Sequence, residues 1–130
     1  MRTPTDDELR LYEAARSAAG NAYAPYSQFP VGAALQPAGG DRPVLGANVE
    51  NASFGLTSCA ERNAVFAAVT AGLREFAAIA VHADAGSAPP CGACRQVLAE
   101  FGPEMIVVYR SGGEVVAAPL SELLPDRFVP

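Results

Sequence analysis

The chain has no lysine, a single histidine, only three cysteines and no long hydrophobic run. Its cations are nine arginines scattered singly among fourteen acidic residues, giving a net charge of −5. Gripping a phosphate backbone takes clustered cations, so this balance argues against a nucleic-acid polymer as partner and suits a small ligand without phosphate. The longest apolar stretches, Phe76–Val81 and Met105–Tyr109, are far too short to cross a bilayer, so no membrane partner is expected. The first ten residues are acidic and polar where a secretory signal is basic and then apolar, which makes a cytoplasmic location the expectation. An odd set of cysteines, Cys59, Cys91 and Cys94, does not read as a disulfide framework. Metal binding, redox chemistry and inert burial all remain open for them.

What is present is a globular balance: 130 residues, half of them hydrophobic and 18% charged. That length buries one real core, and without repeats or low-complexity segments it implies a single domain over residues 1–130. Thr5 followed by Glu8 forms a capping box that opens a helix through Ala19, ended by Gly20, with Leu9, Tyr12, Ala15 and Ala19 as its apolar face. Asn21–Pro30 reads as an ordered loop. Val31–Leu35 and Val44–Val49 read as strands around the Ala38–Asp41 turn. A polar stretch, Glu50–Ser58, precedes an Ala-rich helix over Cys59–Ala71, closed by Gly72. Ala77–Ala83 reads as a strand, Cys91–Phe101 as a helix stopped by Gly102-Pro103, and Met105–Tyr109 and Val115–Ala118 as strands around Ser111-Gly112-Gly113. A short helix over Leu120–Leu124 would follow. The order α-β-β-α-β-α-β-β implies an α/β fold, a three-layer α-β-α sandwich around a five-stranded mixed sheet. The three-residue Ser111–Gly113 connection is too short for a crossover, so the last two strands pair antiparallel.

The chemistry gathers at two helix starts. Ser58-Cys59-Ala60-Glu61-Arg62 opens one helix and Pro90-Cys91-Gly92-Ala93-Cys94 the next. One turn brings Cys91 and Cys94 to the same face, and the free N–H groups and positive dipole end of a helix start favour the thiolate that binds metal. Three thiolates on Zn2+ leave a fourth tetrahedral position free for water, as catalytic rather than structural sites do. No fourth cysteine exists, and His82 falls inside a strand. Three thiolates also leave such a site formally anionic. Arg62, one turn after Cys59, is placed to donate hydrogen bonds to them from just outside the ligand set. Glu61, two residues after Cys59, can reach bound water as general acid/base without ligating the metal. Each of these has a plainer reading. Ser58-x-x-Glu61 is also a capping box, Cys91-x-x-Cys94 alone could be a redox pair, and Asn48 and Glu50 could be solvated strand-end residues.

The stretch Asn48-Val49-Glu50-Asn51-Ala52-Ser53-Phe54-Gly55-Leu56-Thr57-Ser58-Cys59-Ala60-Glu61-Arg62, with Pro90-Cys91-Gly92-Ala93-Cys94-Arg95-Gln96, resembles the homotetrameric zinc-dependent cytidine deaminase family in its three-cysteine form. Tyr26–Leu35 and Leu123–Phe128 match the same pattern, so the resemblance covers nearly the whole chain. It implies that Cys59, Cys91 and Cys94 bind zinc and that Glu61 is the catalytic acid/base. It further implies that the carbonyl of Ala60 accepts from the exocyclic amine and that Asn48 and Glu50 hold the ribose 3′-hydroxyl. Phe29 would pack on the base, and Phe128 would reach the pyrimidine of a neighbouring subunit. The family usually has tyrosine where this chain has Phe54, so a phenolic hydroxyl near the subunit boundary is missing.

The sequence therefore reads as an enzyme that hydrolytically deaminates cytidine and 2′-deoxycytidine to the uridine products with release of ammonia, in pyrimidine salvage. Its partner would be a nucleoside, and its assembly a homotetramer. The competing readings are a deaminase of a related aminopyrimidine nucleoside and a non-catalytic zinc module, which would need a closed four-ligand metal.

Overall fold

The computed structural model describes all residues, Met1–Pro130. The elements run α1 (Asp6–Ala19), β1 (Val31–Pro37), β2 (Val44–Ala47), a single 3-10 turn (Phe54–Leu56), α2 (Ala60–Thr70), β3 (Phe76–Ala83), α3 (Gly92–Phe101), β4 (Ile106–Ser111), β5 (Glu114–Pro119) and α4 (Leu120–Leu123). The order is the one the sequence implies. The polar stretch before α2 adds the 3-10 turn, which no periodicity announced.

One sheet of five strands, in the order β2-β1-β3-β4-β5, forms the middle layer. Only β3 and β4 run parallel; β1–β2, β1–β3 and β4–β5 are antiparallel. The parallel pair requires a crossover, and α3 supplies it. β4 and β5 turn through Gly112-Gly113. β3 is the central strand, and its run Phe76-Ala77-Ala78-Ile79-Ala80-Val81-His82-Ala83 is buried except at Ala77, as expected of a strand covered on both faces.

Alternate β3 residues divide the core. Ile79, Val81 and Ala83 pack with Ala60, Ala64, Val65 and Ala68 of α2 and Leu98 and Ala99 of α3. Ala78 and Ala80 pack with Leu11, Tyr12 and Ala15 of α1 on the other side. Three layers result. Thr5 caps α1 reciprocally: its hydroxyl accepts from the Glu8 N–H at 3.2 Å, and the Glu8 carboxylate accepts from the Thr5 N–H at 2.9 Å. The buried face of α1 is Leu11, Tyr12, Ala15, Ala18 and Ala19. Leu9, expected on that face, is instead partly exposed, because the sheet meets the helix along the adjoining stripe. The lone His82 is buried on the α1 side, with Nδ1 2.7 Å from the Tyr12 hydroxyl and Nε2 2.8 Å from an Asp84 oxygen. No helix is long and apolar enough to cross a membrane.

Gly46 on β2 decides how closely α2 approaches the sheet. A Cβ there would stand 2.3 Å from the Ala60 carbonyl oxygen and 2.6 Å from the Ala64 nitrogen, both backbone atoms. Gly46→Ala should therefore push away the start of the helix, destabilising the protein by about 1–3 kcal/mol in denaturant melts. A wild-type midpoint would mean that the contact can relax.

Candidate active site

The two cysteine-bearing helix starts meet beyond the end of β3. Cys59 is the N-cap of α2 and Cys91 the N-cap of α3, and neither helix has a side-chain cap. Their first N–H groups are thus left for whatever binds there. Cys94, one turn into α3, is fully buried. The three sulfurs lie within 4.8 Å of one another. Tetrahedral Zn–S bonds of about 2.3 Å require sulfurs about 3.8 Å apart, so this set fits zinc with little adjustment. The cluster consists of these three residues, and His82 is not among them.

The electrostatics favour a thiolate. Hydrogen bonding from Cys94 first, and then the Arg62 guanidinium, hold the Cys59 thiol down at about 5 against the opposing effect of burial. Cys94 moves the other way, pushed up by its hydrogen bond to Cys59 and by burial. Three close sulfurs give up one proton readily and resist giving up the next until a cation joins them. The Arg62 Nη2 donates to Cys59 Sγ at 3.0 Å. Arg95 points elsewhere: Nε donates to the Pro90 carbonyl at 2.8 Å and Nη1 to that of Leu123 at 2.7 Å, fastening the chain just before Cys91.

Glu61 is 5% exposed. Burial pushes its carboxyl up to about 7, and the Cys59 charge adds to the rise. It does not cap its own helix. Ser58 donates from its hydroxyl to the Asn63 carboxamide oxygen at 2.5 Å, and Asn63 Nδ2 donates to the Ala47 carbonyl at 2.7 Å. With Asn63 bracing the helix start against β2, Glu61 is left to line a cavity of about 500 Å3.

That cavity brings together Phe29, Asn48, Glu50, Cys59, Ala60, Glu61 and Cys91. Neither lysine nor arginine is part of its lining. Asn48 and Glu50 are buried rather than solvated, because residues 48–50 are held between the Tyr23 backbone and that of Ser58. Asn48 accepts from the Val31 N–H and donates to the Phe29 carbonyl, both at 2.9 Å. Glu50 accepts from the N–H groups of Tyr26 at 3.0 Å and Ser27 at 3.1 Å, and from the Ser27 hydroxyl. These bonds, led by the hydroxyl, hold its carboxyl below the usual carboxylate range.

Two placements differ from expectation or fall outside this cavity. The Ala60 carbonyl is packed against Gly46, where helix geometry directs it along the α2 axis; the group that a helix start leaves free at this position is the N–H. Phe128 is 72% exposed and lies with Gln96 and Ala99 at the C-terminal tail, away from its own chain's cavity. Phe54 is also exposed and stacks edge-on with Tyr26 at 5.2 Å. The sequence reading passed over Ser27, Thr57, Ser87 and Ala88 as lining residues. Ser27 could have been noticed through its place two residues before Phe29; the others carry no local signal.

Comparison with known proteins points to one family. Residues 5–110 match the family described as the cytidine and deoxycytidylate deaminase zinc-binding region. A cytidine deaminase of Halalkalibacterium halodurans is 49% identical over 95% of this chain and 94% of its own length. The crystal structure of a cytidine deaminase from Burkholderia pseudomallei, 50% identical, superposes with a TM-score of 0.86 over 96% of this chain and all of that one. A blasticidin-S deaminase of Bacillus cereus matches at 27% identity over 75% of this chain and 76% of its own.

Proposed function

The chain belongs to the cytidine and deoxycytidylate deaminase zinc-binding family, and from that premise we infer that it is a zinc-dependent cytidine deaminase, converting cytidine and 2′-deoxycytidine with water to the uridine products and ammonia. One observation carries the reading: three sulfurs converge from two uncapped helix starts beside the buried Glu61 carboxyl, in a cavity sized for a nucleoside. Cys59, Cys91 and Cys94 would hold zinc, which when bound supplies the Lewis acidity that activates water for attack on the ring.

The remaining work falls to the chain's own groups. Glu61 is the buried carboxyl beside the sulfurs, raised to about 7 in the metal-free site, and is the group placed to accept and release protons during the reaction. It takes one proton from the attacking water and delivers it to N3 of the ring, then takes the remaining proton of the added hydroxyl as the carbonyl forms and passes it to the departing amine. The free N–H of Ala60, rather than its carbonyl, is the group offered to an acceptor on the ring. Asn48 keeps one N–H and Glu50 one lone-pair site after their loop contacts are counted, so a sugar hydroxyl can donate to Glu50 while accepting from Asn48. Phe29 provides the apolar wall for the base. The absence of cations from the lining, together with the two carboxylates, favours the nucleoside over its phosphorylated form.

Arg62 sits just outside the ligands and offsets thiolate charge. Arg62→Ala should weaken zinc binding about 10–100-fold in chelator competition; unchanged affinity would remove it from that role. The 27% relative keeps a different aminopyrimidine nucleoside as the second reading, and the spare hydrogen-bonding capacity of Asn48 and Glu50 favours an ordinary sugar. For the whole protein we propose a cytoplasmic homotetramer serving pyrimidine salvage, in which the exposed Phe128 meets a neighbouring subunit's cavity. The test of the central reading is the fall in cytidine absorbance with purified protein, with and without a zinc chelator. A protein that carries zinc but leaves cytidine unchanged would favour the non-catalytic module.

A further inference from the structure

Gln28 is the only residue other than glycine with a left-handed backbone, at φ +54°. Its side chain is exposed and hydrogen-bonds to nothing, so whatever this position contributes comes from the backbone. The neighbours on either side line the cavity. The Gln28 N–H donates to the Ala24 carbonyl at 2.9 Å, closing a turn. Across the turn, the Phe29 N–H donates to the Ser27 hydroxyl at 3.1 Å, while that hydroxyl donates to Glu50. The Phe29 carbonyl is taken by Asn48 Nδ2. Both polar groups of the Phe29 backbone are therefore fixed by residues of the sugar-binding pair or by Ser27, which Glu50 itself holds. The direction in which the chain enters Phe29 is set by the one left-handed residue.

We propose that Gln28 is a positioning residue: its left-handed turn, clamped by Ser27 and Glu50, aims the Phe29 ring into the cavity and couples base packing to the sugar-binding carboxylate. The inference rests on the reading of this cavity as a nucleoside site. Left-handed backbone is disfavoured for residues with a Cβ, most of all for β-branched ones, and is persistent only where the surroundings enforce it; such outliers collect at ligand clamps.

The test is a series at this position with cytidine as substrate. Gln28→Asn and Gln28→Gly, which accept positive φ, should keep KM within about twofold of wild type. Gln28→Val, which resists it, should raise KM about tenfold while leaving kcat within about twofold. On a Phe29→Ala background the same Val substitution should change KM by less than about twofold, since the ring it misplaces is gone. If melting curves show that the Val protein does not fold, Gln28→Thr, β-branched but polar, takes its place, with a rise of about threefold expected. A wild-type KM in the folded Val or Thr protein overturns the proposal. So does an Asn variant as impaired as Val, which would point to side-chain chemistry, or an undiminished effect on the Phe29→Ala background. A wild-type protein inert toward cytidine would instead overturn the nucleoside reading, and the proposal with it.

Discussion

Glu61→Gln should keep its zinc and lose a factor of about 10²–10⁴ or more in kcat. The amide has nearly the shape of the acid, so the cavity and the three sulfurs stay as they are. It can hydrogen-bond to water and ring, but it cannot take a proton from one and pass it to the other. Turnover measured beside metal content separates this from a structural failure: a variant that binds zinc and still turns over near the wild-type rate would remove Glu61 from the reaction. The same substitution has a second signature in the metal-free, reduced protein. Burial raises the Glu61 carboxyl from 4.5 to about 7. A raised acid contributes its stabilisation in full at low pH and loses it as pH climbs through the folded value. At about 1.4 kcal/mol per pH unit, that loss approaches about 3 kcal/mol above neutrality. Glutamine does not ionise. The metal-free Glu61→Gln protein should therefore gain on wild type as pH rises from about 4.5 to above 7, read from denaturant midpoints at each pH.

Removing zinc should abolish deamination, and zinc returned in slight excess should restore it. The same treatment of Cys94→Ala should restore nothing. Cys94 is the buried member of the cluster, and its loss leaves two sulfurs, on two different helices, to hold the ion. The effect is expected to be all or nothing, because Glu61 has no comparably activated water to work on without the metal. A cobalt-loaded sample should show a four-coordinate spectrum that changes when a nucleoside analogue enters the cavity. A chelator-stripped protein that still deaminates cytidine would rule out the zinc mechanism. A cobalt spectrum indifferent to ligand would indicate a closed structural site.

The parts of the fold legible in the sequence were those fixed by local chemistry. Thr5 and Glu8 mark the start of α1 because their cap is made within four residues. Gly112-Gly113 marks a hairpin because little else fits between two apolar runs. The cysteines mark helix starts because each follows an irregular segment and precedes a helical run. Less legible were features set by what lies across the core. Leu9 and Leu11 are equally apolar, and only the position of the sheet decides which is buried. The Ala60 carbonyl follows the helix axis, a direction that motif matching does not convey. Asn48 and Glu50 look like strand-end residues in any single segment; their burial comes from the Tyr23–Phe29 loop folding over them. Gln28, polar and exposed, gives no sign of its backbone at all.

The metal site also has a bearing on how long the molecule survives. Cys59 and Cys91 stand at opposite ends of the segment that runs through α2 and the central strand β3. With zinc held by Cys59, Cys91 and Cys94 as proposed, residues 59–91 would form a ring tied shut across its ends, and the middle of the sheet could not be drawn out without first breaking a coordination bond. Zinc supply would then govern more than catalytic speed: starved of metal, the protein would be an opened ring, idle and more readily unravelled and degraded.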